Sequence, residues 1–86
     1  MSRLKVYTKQ FCPYCVRVQM ILKSAGIQDY EEISIEGREM EMRQKLMEWT
    51  GGRGDVPQIF LDNQYIGDDD ALAALANSGK LNQMLE

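Results

Sequence analysis

Histidine is absent from this chain, only two cysteines and two prolines occur in its 86 residues, and no apolar run is long. Each scarcity excludes something. Without histidine, the single CxxC pair supplies about half of the soft ligands a structural zinc takes, so a zinc site would need carboxylates or a second chain. With so little proline and no repetitive polar tract, an ordered globule is favoured over disorder, and the length suits a single domain spanning 1–86. The opening residues MSRLKVYTK lack the apolar core of a signal peptide, and nothing approaches the roughly 20 apolar residues that span a bilayer. Basic residues are not in excess: ten Lys and Arg against thirteen Asp and Glu give 10 − 13 = −3. No basic stripe could neutralise a row of phosphates, which argues against nucleic acid as a partner. The chain reads as cytoplasmic and monomeric. In that compartment thiols are kept reduced, so a CxxC pair is more often metal-binding or redox-active than a structural bridge.

What is present is ordered in a recognisable way. Leu4 to Thr8 alternates apolar and polar residues and predicts a short first strand. Pro13 suits the first turn of a helix, and Val18, Ile21, Leu22 and Ala25 follow at helical spacing until Gly26, which predicts a helix over 13–25. A second strand is expected over 30–35, and a second helix over 37–50, where Met42, Leu46 and Trp49 share one face. Runs at 58–61 and 65–66, parted by Asp62, Asn63 and Gln64, read as a β-hairpin. Asp68, Asp69 and Asp70 make an acidic start to a last helical region, which Asn77, Ser78 and Gly79 interrupt before a final short turn. Met20, Met40, Met42, Met47 and Met84 read as core or helix-face packing, and Trp49 as core.

Cys12 and Cys15 are then buried core thiols, metal ligands or a working pair. Cys12 falls at a strand-to-helix junction, flanked by Phe11, Pro13 and Tyr14 rather than set in a periodic apolar face. There the unpaired amides and the macrodipole of the helix favour negative charge, so a thiolate forms more readily than from a free cysteine of pKa roughly 8.5. Cys15, about one turn on, is placed to attack a mixed disulfide formed on Cys12.

Lys9, the CPYC run from Cys12 to Cys15, Val56 and Pro57 before a strand, and Ile66 and Gly67 leading into acids resemble a dithiol glutaredoxin, in order along essentially the whole chain. The resemblance implies an α/β, thioredoxin-like fold: a four-stranded mixed β-sheet flanked by helices, β-α-β-α-β-β-α with a short C-terminal helix, and a cis peptide bond before Pro57. It implies glutathione as co-substrate with no tightly bound cofactor, and disulfide-containing or glutathionylated proteins as partners. Cys12 and Cys15 would be catalytic. Around them, Lys9 resembles the lysine that meets the glycyl carboxylate, with Gln44 at the glutamine position on the second helix and Arg53 a nearby cation. Tyr14 flanks the groove, and Val56, beside Pro57, pairs through its backbone with the cysteinyl moiety. The amides of Asp69 and Asp70 meet the γ-glutamyl carboxylate, and the Asp70 side chain its ammonium.

This chain departs from the family pattern at Asp55, Asp68 and Ala71. Threonine is common at the first of these positions, glycine at the second, and an acid at the third. The added negative charge should weaken glutathione binding unless local basic groups compensate. Two alternatives stay open beside glutathione-dependent reduction: an electron donor of the same fold fed by thioredoxin reductase, and a [2Fe-2S] carrier in which two chains hold the cluster through Cys12 and glutathione. In the family, the proline at position 13 is thought to disfavour the second.

Overall fold

The computed structural model describes residues 3–86. Its elements are β1 (Leu4–Thr8), α1 (Pro13–Ser24), β2 (Glu31–Ser34), α2 (Glu39–Thr50), β3 (Gln58–Leu61), β4 (Gln64–Gly67), α3 (Asp69–Asn77) and α4 (Lys80–Met84). The strands form one mixed sheet in the order β2-β1-β3-β4. β1 runs parallel to β2 and antiparallel to β3, and β3 turns back into β4. The expected four-stranded fold and element order are therefore present.

The alternation in β1 divides the molecule. Leu4, Val6 and Thr8 are buried on one face, while Lys5 and Tyr7 point to the other. On the first face Leu4, Val6, Ile59 and Leu61 join Val18 and Leu22 of α1, Leu72 of α3 and Leu81 of α4 in one core cluster. On the second face the rings of Tyr7, Phe60 and Trp49 pack with centroids 5.5 to 6.2 Å apart, which brings the end of α2 onto the sheet.

Several boundaries shift from the sequence expectation for local reasons. The hairpin turn is only two residues, Asp62 and Asn63, both left-handed (φ 50° and 66°), the conformation a type I′ turn requires, and Gln64 already pairs with Leu61. Gly37 has φ 82° and lies in the turn before α2, so that helix begins at Glu39. Asp68 is the N-cap of α3 rather than its first residue: its backbone is extended and its Oδ1 accepts from the Ala71 amide at 3.2 Å.

The methionines, expected as core or helix-face packing, divide between the two. Met42 is buried and Met84 packs partly buried against the core, but Met20, Met40 and Met47 are exposed. Trp49 is 47% exposed, correcting its reading as core. It lies in the last turn of α2, where the indole packs tilted on Tyr7 and edge-to-face with Phe60, and a ring of that size is seldom fully enclosed.

Candidate active site

α1 begins at the cysteines because Cys12 leaves β1's exit loop in an extended conformation (φ −111°, ψ 105°) and Pro13 follows as a first-turn residue whose missing N–H costs the helix nothing. Phe11, just before, is held left-handed (φ 56°), a conformation bulky residues rarely adopt. Its ring is 97% exposed. Cys12 caps the helix with its own sulfur: Sγ accepts from the Cys15 amide at 3.3 Å. That first-turn amide is shared between the Cys12 carbonyl, at 3.1 Å, and the sulfur, the atom where charge develops in a thiolate.

Both cysteines are free thiols in this structure, and they are not equivalent. Cys12 is 8% exposed and Cys15 3%. Burial, and then the hydrogen bond with Cys12, push the Cys15 thiol up to about 12. It stays protonated across the physiological range. Both sulfur-bearing residues border an open depression of about 460 Å³, lined also by Lys9, Phe11, Gln19 and Glu32.

The remaining candidates are spread over the β1–α1 loop, α1, α2, the segment before β3 and the start of α3. Lys9 is exposed between β1 and α1, and Tyr14 stands outward from the first turn of α1. Val56, half-buried, precedes the buried Pro57 across a cis peptide bond, as the sequence resemblance implied. Gln44 is exposed on α2 and makes no side-chain hydrogen bond among the described residues.

Arg53, expected as a nearby cation, has its guanidinium committed within the protein. Its Nη2 and Nε bond Asp55 at 2.8 and 3.3 Å, and its Nη1 bonds Asp68 at 2.9 Å. The hydrogen bonds from Arg53 hold both carboxyls below the usual carboxylate range. Gln58, fully buried, extends the arrangement inward: its amide donates to the backbone carbonyl and the carboxylate of Asp55, and it accepts from the Tyr65 hydroxyl at 2.7 Å.

Asp69 and Asp70 are engaged as well. Arg17 Nη1 lies 2.6 Å from Asp69 Oδ2 and 2.7 Å from Asp70 Oδ1. Asp69 is nearly buried, and this ion pair ties the start of α3 to α1 two residues beyond Cys15. Sequence reading missed Arg17 and Gln58. A signal for Arg17 was present, since a run of aspartates at a helix start calls for basic groups nearby, but which arginine answers depends on α1 packing against α3.

A strand, a helix opened by one cysteine over a second, more deeply buried one, and the sheet order found here define a thiol-disulfide oxidoreductase of the thioredoxin-like fold. Residues 4–66 match the family model for glutaredoxin, and the chain belongs to the glutaredoxin family. It is 38% identical to glutaredoxin 3 of Escherichia coli strain K12 over 86 residues, covering the whole of both chains. It is 40% identical to glutaredoxin 1 of Rickettsia conorii over 81 residues, 94% of this chain and 78% of that one. Among solved structures it resembles a buckwheat glutaredoxin-glutathione complex, with a TM-score of 0.85 and 30% identity over 96% of this chain and 76% of that chain.

The described residues contain no cluster of three or more metal-ligating side chains and no helix long and apolar enough to cross a membrane.

Proposed function

We propose that this glutaredoxin is a dithiol enzyme that uses glutathione to reduce protein disulfides and glutathione mixed disulfides. The observation that carries the reading is the asymmetry of the pair: Cys12 Sγ at the mouth of α1 with an amide donor on it, and Cys15 behind it as a buried thiol. The bound glutathione of the buckwheat relative supports the choice of reductant.

On a glutathionylated protein, the Cys12 thiolate attacks the glutathionyl sulfur, the S–S bond breaks, and the protein leaves as a thiolate that takes a proton from water. A second glutathione, as thiolate, then attacks the glutathionyl sulfur on Cys12, producing glutathione disulfide and restoring the Cys12 thiolate. On a protein disulfide, the Cys12 thiolate attacks one protein sulfur, the protein S–S bond breaks, and the other protein sulfur leaves as a thiolate that takes a proton from water. Cys15 then attacks Cys12 Sγ, its proton passing to the departing protein thiolate, and the Cys12–Cys15 disulfide is reduced by glutathione. Lys9 and Gln44 receive the glycyl carboxylate, Val56 beside Pro57 the cysteinyl backbone, and the α3 amides of Asp69 and Asp70 the γ-glutamyl carboxylate. Tyr14 closes the groove, Asp70 faces the ammonium, and Arg53 stands at its border. Binding a carboxylate at a helix start uses the unpaired N–H groups there.

The test is a coupled assay with a glutathione mixed disulfide, fed either by glutathione and its reductase or by thioredoxin reductase. Turnover is expected with the first supply alone. Cys12→Ser should abolish it, and Cys15→Ser should keep mixed-disulfide reduction while losing protein-disulfide reduction. Turnover driven only by thioredoxin reductase, or full activity in Cys12→Ser, would contradict the proposal.

A further inference from the structure

Arg53 reaches from the loop before Pro57 to the cap of α3, the two segments between which the proposed glutathione groove runs. Its guanidinium bonds two carboxylates of this chain, bidentate to Asp55 and single to Asp68. The acids are fixed in turn from behind. Gln58, buried, holds the Asp55 carboxylate at 3.0 Å, and the Ala71 amide holds Asp68. This is an internal version of the fork a guanidinium offers to any incoming carboxylate.

We propose that Asp55 and Asp68 are specificity-determining residues that withhold Arg53 from the carboxylates of the substrate, so that this chain binds anionic glutathionyl groups less tightly than its groove would otherwise permit. The inference rests on the proposed glutathione reading and deepens it. Two features support the direction. One guanidinium faces two carboxylates here and the Arg17 guanidinium faces two more, so the groove border carries excess negative charge even with every ion pair formed. The clamp is also accessible, with the Arg53 and Asp55 side chains 44% and 60% exposed, so a ligand carboxylate competes for the same donors from solvent. A neutral disulfide neither competes for Arg53 nor meets the excess charge, and its recognition is indifferent to the clamp.

The experiment uses Asp55→Asn/Asp68→Asn, in which the asparagines keep the size of the side chains and position 68 still caps α3. Asp68→Asn alone serves as a milder variant with an intermediate effect. The probe is S-methylglutathione, titrated by NMR into wild type and variants, with its diester, both carboxylates blocked, as control. The double variant should bind the free acid about threefold or more tightly, in keeping with the modest worth of exposed ion pairs, and the gain should shrink in high salt. Diester binding should not change, and adding Arg53→Gln should reverse the gain.

Unchanged free-acid binding, or equal tightening for the diester, overturns the masking role. Failure of the proposed function reads differently: wild type would show no glutathione-driven turnover, while tightening in the double variant would still support the clamp. Absence of binding by every variant overturns both.

Discussion

Two sulfurs three residues apart acquire opposite duties from their surroundings. Both border an open depression at a helix mouth, but Cys15 is the more deeply buried, in a setting that disfavours its thiolate. The asymmetry has a chemical signature. A thiol raised to about 12 is un-ionised at neutral pH and gains nucleophilicity only as pH climbs towards that value. Brief iodoacetamide treatment of the reduced protein at pH 7 should therefore modify Cys12 and spare Cys15, with Cys15 labelling rising only at strongly alkaline pH, as read by peptide mass mapping. Equal labelling at pH 7 would show that the difference between the sulfurs is not expressed. The position of Cys12 was legible in the sequence, because a proline-started helix after a strand declares its own N-terminus. The degree of Cys15 burial was not, since it depends on how α1 seats against the sheet.

Among the elements, α3 shows how a helix start is built from both neighbours. β4 delivers the chain to Asp68 through Gly67, whose φ of 133° disfavours any other residue, and a Cβ added there would clash with that of Ala71. Asp68 then caps the helix, Arg17 from α1 pairs with Asp69 and Asp70, and Arg53 anchors the cap. Gly67→Ala should cost about 1–3 kcal/mol in urea denaturation through backbone strain, with added cost from the Ala71 clash, and should weaken glutathione binding because the α3 amides move. A variant as stable as wild type would mean that the turn relaxes without consequence. The helices and strands themselves were readable from their periods, as the buried sets Val18–Leu22 and Met42–Leu46 attest. The acidic run at 68–70 was readable as a helix start and as a demand for cations. That Arg17 and Arg53 divide the demand between them, and that Asp68 is a cap while Asp69 is buried, follows from packing between segments some fifty and fifteen residues apart in the chain.

For the molecule as a whole, the sheet order brings the exit of β1, the loop before β3 and the start of α3 into one functional neighbourhood, although they are separated along the chain. The fold was legible because local patterns and the ordered CPYC, VP and IG segments agree with one another. The electrostatic state of the groove was not: counting charges gave a net of −3 and a concern about crowding aspartates, whereas the structure pairs those aspartates with two arginines and leaves Lys9 outside the clamps. The central claim remains that Cys12 takes a glutathionyl group and passes it to glutathione. Trapping tests this most directly. Cys15→Ser protein incubated with glutathione disulfide should gain a single glutathionyl group on Cys12, seen by intact mass and peptide mapping, and should lose it on addition of reduced glutathione. Failure of Cys15→Ser to take up the group, or equal uptake by Cys12→Ser, would contradict the account.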